Sequence, residues 1–120
     1  MITHGIDIAH IERIRELSEH QTFLERVFTE GEIAYSFSKP EPHKHLAGRF
    51  AVKEAVMKAL GTGWALGVTW TDIEVINWPD KSPVVHLKDE AARLSYGKRI
   101  HISISYSSGL AFAAAVIESL

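Results

Sequence analysis

Arg99 to Tyr106 alternates without interruption: Ile100, Ile102, Ile104 and Tyr106 share one strand face, while His101, Ser103 and Ser105 share the other. Ser107-Ser108-Gly109 supplies a turn, and Leu110 to Glu118 follows as a more apolar strand. A helix is predicted over Leu46 to Leu60, stopping at Gly61-Thr62-Gly63, where glycine favours termination. Hairpin-connected strands mixed with helices point to an α+β fold with a largely antiparallel sheet and a long central helix.

The remaining elements are short. Ile2 to Ile8 reads as a strand in which Gly5 permits close approach by another backbone. Ile11, Ile14 and Leu17 recur at helical spacing between Ala9 and about His20, and Phe23 to Val27 extends this region. Thr29 stands three residues before Glu32, a capping-box signature for a helix through Tyr35. Ser38 to His43, with Pro40 and Pro42, reads as a loop. Val68 to Trp78 is predicted as a strand, with Val84 to Leu87 returning after a turn and Asp89 to Tyr96 a short helix closed by Gly97. With no repeat or long linker, residues 1–120 form one expected domain.

Composition narrows the function. A net charge of −2 argues against a generally nucleic-acid-binding surface, which needs clustered basic side chains. The absence of cysteine excludes disulfides and thiolate metal sites. MITHGIDIAH lacks the basic and apolar segments of a signal peptide, and the apolar run Leu110 to Ile117 is too short for a membrane helix. The expectation is a soluble, cytoplasmic protein without membrane contact. A chain of 120 residues leaves much surface exposed, so oligomerisation is a source of further burial.

The central helix carries the first candidate site. Leu46, Phe50 and Met57 fall on one side, and Val52, Val56 and Leu60 form a second apolar strip. The remaining arc places Ala47, Gly48, Ala51 and Ala55 around Glu54 and Lys58, leaving room for a ligand to approach. An exposed Glu-to-Lys pair at i, i+4 spacing accounts for the same pattern, and the glycines serve equally as a C-cap. Asp7 sits within apolar Gly5-Ile6-Asp7-Ile8; it either caps the next helix or binds a cation. Magnesium takes one or two carboxylates plus phosphates and water, which Asp7 and Glu54 satisfy if the fold unites them. The Ser103/Ser105 face offers hydroxyls to phosphate or ribose, or is simply solvated. The seven histidines show no close zinc spacing.

Taken in order, these segments resemble the holo-[acyl-carrier-protein] synthase family, the short bacterial 4′-phosphopantetheinyl transferases. GIDIAHIERI is similar to the family's opening motif and FLERVFTEGEIAY to the segment after its first helix. LAGRFAVKEAVMKALGTG matches its long central signature, and HISISYSSGLAFAAAVIE resembles its closing strand pair.

The resemblance implies transfer of 4′-phosphopantetheine from coenzyme A to a serine of an acyl carrier protein, releasing adenosine 3′,5′-bisphosphate, in the service of fatty-acid biosynthesis or of secondary metabolism. It implies Asp7 and Glu54 as magnesium ligands, and Glu54 and Lys58 as catalytic groups. Arg49, Lys53, Gly61, Thr62, Gly63, Ser105 and Tyr106 are implied as coenzyme A contacts. Arg13 and Arg26 are the implied carrier-docking residues, and a homotrimer with active sites between subunits is the implied assembly. Three positions depart from the wider pattern. Ala9 stands where the larger transferases carry a second acidic residue, and Tyr106 where the short type commonly has histidine. The first helical region also mixes Arg13, Arg15 and Arg26 with Glu12, Glu16, Glu19 and Glu25. The alternatives are a non-catalytic trimeric coenzyme A-binding module and another magnesium-dependent enzyme acting on a nucleotide pyrophosphate.

Overall fold

The computed structural model describes residues 1–61, 66–80 and 82–120. Strand β1 (Ile2–His10) leads into three short helices, α1 (Ile11–Leu17), α2 (Gln21–Val27) and α3 (Glu30–Phe37). The long helix α4 (Pro42–Leu60) follows. After it come a 3₁₀ turn (Trp70–Asp72), β2 (Ile73–Ile76), β3 (Val84–Leu87), α5 (Asp89–Leu94), β4 (Lys98–Ser107) and β5 (Leu110–Ser119). Among the described residues the strands form two antiparallel sheets: a three-stranded one in the order β1-β5-β4, and the β2-β3 pair. The α+β, largely antiparallel expectation is met.

Register decides what each side chain faces. Asp7, Ala113 and Ile104 lie side by side across the larger sheet, and so do Ile8, Phe112 and Ser105 on its opposite face. Helix α4 covers only the first of these faces. Ala111, Ala113 and Ala115 are buried beneath it, as are Ala51 and Ala55 of the helix. Small residues on both partners let the layers close tightly. At Gly5 the approach is tightest: a Cβ there would overlap the Ala55 carbonyl oxygen and lie 2.9 Å from Cβ of Lys58. The strand glycine and the helix alanines thus have one cause.

That packing corrects one expectation. The arc of Ala47, Ala51 and Ala55 does not leave room for a ligand, because the sheet fills it. Gly48, on the same arc, receives the Tyr106 hydroxyl, which a Cβ would displace.

Other boundaries move for local reasons. Pro42 begins α4 instead of lying in a loop, since its fixed φ and missing N–H suit the first helical position. The helix ends at Gly61 with φ +80°, as its sequence predicts, whereas Thr62 and Gly63 lie outside the described residues. The strand predicted over Val68 to Trp78 shrinks to four residues, because Thr69 and Asp72 cap each other across a 3₁₀ turn. Thr29 and Glu32 form the predicted capping box, with Thr29 N donating to Glu32 Oε1 at 2.9 Å.

Candidate active site

Packing α4 on β1 brings Asp7 to the flank of the helix that carries Glu54 and Lys58. Lys58 Nζ lies 3.2 Å from Asp7 Oδ1 and donates to the Ile6 carbonyl oxygen at 2.9 Å. The aspartate side chain is mostly buried while the lysine is half exposed, so the ammonium covers the carboxylate from the solvent side. Glu54 is partly buried nearby. Its carboxyl is pushed above the ordinary glutamate range, first by burial and then by the charge of Asp7, with Lys58 opposing both. Two carboxylates in one electrostatic field, flanked by a cation, are therefore brought together from segments some fifty residues apart. The donor set suits a hard divalent cation completing its shell with phosphate oxygens and water. No group of three or more acidic or histidine side chains gathers around a metal-sized space among the described residues.

Arg49 lies near the N-terminal part of α4, with its side chain almost wholly buried. Its Nη2 donates to Asn77 Oδ1, and its guanidinium carbon sits 4.3 Å from the centroid of the Tyr35 ring. Nε has no protein partner. Burial pulls this guanidinium below the usual arginine range, with nearby Glu32 opposing the shift. Arg49 lines a cavity of about 300 Å³ together with Tyr35, His45, Asn77, Pro83 and Tyr106. Burial and the charges of Arg49, Lys44 and Lys39 hold His45 below the ordinary histidine range, which favours a neutral imidazole. Burial raises the Tyr106 hydroxyl, so it stays a protonated hydrogen-bond donor near neutral pH, with Lys44 Nζ 4.9 Å from its ring centroid. A buried guanidinium with a spare N–H, opening on aromatic hydroxyls, suits a phosphate monoester.

Two predicted ligand contacts fall elsewhere. Lys53 is fully buried and does not line the Arg49 cavity. Its ammonium is 2.7 Å from Glu32 Oε1, 3.1 Å from the Trp70 carbonyl oxygen, and hydrogen-bonded to that of Ile73. Three acceptors use its three donors, so it cannot reach coenzyme A. Ser105 lies on the sheet face opposite α4, because strand alternation sends it away from Tyr106. Arg13 on α1 and Arg26 on α2 are exposed and outside any ion pair among the described residues, whereas Arg15 is bound to Glu12. Sequence reasoning passed over Tyr35, His45 and Asn77; the i, i+4 spacing of His45 and Arg49 was the one available signal.

The sequence profile of the 4′-phosphopantetheinyl transferase superfamily matches residues 3–115. The holo-[acyl-carrier-protein] synthase of Thermodesulfovibrio yellowstonii is 48% identical over 115 residues, covering 94% of this chain and 95% of that protein. The Neisseria meningitidis synthase structure superposes with a TM-score of 0.87 at 29% identity, covering 99% of this chain and 100% of that one. The Helicobacter pylori synthase in complex with coenzyme A gives a TM-score of 0.82 at 33% identity, over 98% of this chain and 100% of that one. The chain belongs to the 4′-phosphopantetheinyl transferase superfamily.

Proposed function

We propose that Asp7, Glu54 and Lys58 carry the transfer of 4′-phosphopantetheine from coenzyme A to a serine of an apo acyl carrier protein, releasing adenosine 3′,5′-bisphosphate. The observation that carries the residue assignment is the meeting of Asp7 with Lys58 beside a Glu54 carboxyl held above its ordinary range. Asp7 and Glu54 would hold magnesium, which supplies a Lewis acid for the pyrophosphate oxygens. Glu54 accepts the proton of the attacking serine, directly or through water. The Lys58 ammonium neutralises charge on the departing bisphosphate. Arg49 and Tyr106 bind a phosphate of the nucleotide in their cavity, and the segment Gly61-Thr62-Gly63, whose last two positions lie outside the described residues, is assigned to the same substrate. With Tyr106 in place of histidine, the hydroxyl donates without an imidazolium charge, and positive charge at the pocket comes from Arg49, with Lys44 against the Tyr106 ring. Exposed Arg13 and Arg26 attract an acidic carrier.

A homotrimer acting in the cytoplasm completes the reading. The uncovered face of the larger sheet exposes Ile6 at 67% and Ile8 at 53% of their surfaces, in rows with Phe112 and Ala114. Such an apolar face favours association with further copies. Ser105 belongs to that face and would meet the neighbouring subunit instead of its own α4. Ile6→Lys places a charge in the contact and is expected to convert the trimer to monomer by analytical ultracentrifugation, with transfer lost alongside it. No helix among the described residues is long and apolar enough to cross a membrane.

The decisive experiment incubates the protein with apo carrier, coenzyme A and magnesium. Mass spectrometry should detect one phosphopantetheine on the carrier, and chelation by EDTA should stop the reaction. Absence of the adduct across several carriers would refute transfer, and coenzyme A binding without turnover would favour a non-catalytic module.

A further inference from the structure

We propose that the buried Glu32–Lys53 pair is a positioning element for coenzyme A. It fixes β2 against α4 so that Asn77 holds the Arg49 guanidinium in its cavity; this rests on the reading that the cavity takes a coenzyme A phosphate.

Both side chains are fully buried, and neither lines the Arg49 cavity. Replacing such a pair by apolar residues is often neutral or stabilising, so fold stability alone is a weak reason to keep it. Its bonds run toward the nucleotide cavity. Lys53 binds the carbonyl oxygens of Trp70 and Ile73, at the entry to β2. Glu32 accepts from Val75 N at 2.9 Å through Oε2 and from Thr29 N through Oε1. One ion pair therefore grips β2 at Ile73 and Val75 while anchoring the start of α3. Two residues beyond Val75, Asn77 Oδ1 receives the Arg49 Nη2 donor. Arg49 lies one helical turn before Lys53 on α4. The path from Lys53 through β2 and back to Arg49 is thus a short closed loop, and loosening one side frees the other.

Substrate affinity, and not the chemical step, should respond. Glu54 and Lys58 occupy another flank of α4 and share no hydrogen bond with this network among the described residues. A single substitution strands a buried charge and endangers the fold. The informative protein is therefore the double variant Glu32→Gln/Lys53→Met, measured by titration calorimetry with coenzyme A and by steady-state kinetics. Its Kd and KM for coenzyme A are expected to rise about tenfold, equivalent to one hydrogen bond to a charged group. At saturating coenzyme A, kcat should stay within about threefold of the parent, a change too small to mark loss of a transition-state contact. The KM for carrier should not change.

Asn77→Ala should raise Kd in the parent and add little in the double variant, since both act through Arg49. A lowered Tm with unchanged Kd, a loss confined to kcat, or fully additive Asn77→Ala effects would each overturn the proposal. If the double variant is unfolded by circular dichroism, Glu32→Gln/Lys53→Gln, which keeps an amide donor toward the Trp70 and Ile73 carbonyls and strands no charge, carries the same measurements. Failure of the parent to bind coenzyme A would remove the reading of the cavity, and the proposal with it.

Discussion

Glu54→Gln is expected to lower kcat for carrier modification by at least about a hundredfold, the scale of losing a general base, while the chain stays folded. The substitution keeps the size of the side chain and removes only its charge and basicity. Stability should move the opposite way from activity. In the metal-free protein, burial and Asp7 raise the Glu54 carboxyl above its ordinary range. The folded state therefore holds that proton more tightly than the unfolded chain. Its stabilising effect is complete below the unfolded pKa and is lost as pH rises through the folded one. At neutral pH wild type bears this loss and Glu54→Gln does not. The variant should be the more stable by up to about 1 kcal/mol, a scale set by partial solvent screening, and the two should converge in acid. Magnesium should raise the Tm of wild type and have little effect on the variant. Thermal melts across pH, with and without magnesium, check all three statements; a variant less stable than wild type at neutral pH would contradict the charge assignment.

Among the described glycines, Gly5→Ala should produce the largest structural effect. The new Cβ would overlap the Ala55 carbonyl oxygen and crowd the Lys58 side chain at 2.9 Å. Neither obstacle yields cheaply, since one is helical backbone and the other the stem of a proposed catalytic side chain. Forcing β1 off α4 should cost about 1–3 kcal/mol, as overpacking of a tight interior does. It also shifts Asp7, two residues along the strand, relative to Lys58 and Glu54. Folded Gly5→Ala protein should therefore lose activity out of proportion to its stability, with a weaker magnesium-induced rise in Tm. Chemical denaturation and metal-dependent melts measure the two parts separately. By contrast, Gly97→Ala adds its methyl where nothing lies within 4 Å, so only the strain of its φ of +73° opposes it.

Local signals in the chain were informative where a residue's role depends on its neighbours in sequence. Thr29 with Glu32, the stop at Gly61 and the alternation through Tyr106 each express chemistry completed within a few residues. The grouping of Asp7, Glu54 and Lys58 became legible through the order of whole motifs, since no spacing rule joins residues fifty apart. Lys53 was misread because its burial depends on a carboxylate 21 residues earlier and on carbonyls of a later turn. The side of the sheet that Ser105 takes was not legible either: alternation separates the two faces of a strand but does not say which one α4 will cover. The small residues of α4 were visible in the sequence, yet whether they admit a ligand or a sheet is decided by Gly5 and the β5 alanines.

Strand order also governs when the molecule can become active. Asp7 rides on β1, whose sheet neighbour among the described residues is β5, with Ile2 opposite Glu118. β1 thus waits for a partner strand made much later in the chain. Contacts this distant in sequence slow folding, because the intervening loop must close before they can form. Until β5 clears the exit tunnel, β1 lacks its sheet neighbour among the described residues and Asp7 has no fixed place beside Lys58. A nascent chain can form α4, yet it stays chemically silent until β5 is free to pair with β1. Arrest a few residues before Leu110 should leave a chain unable to assemble its metal-and-phosphate site.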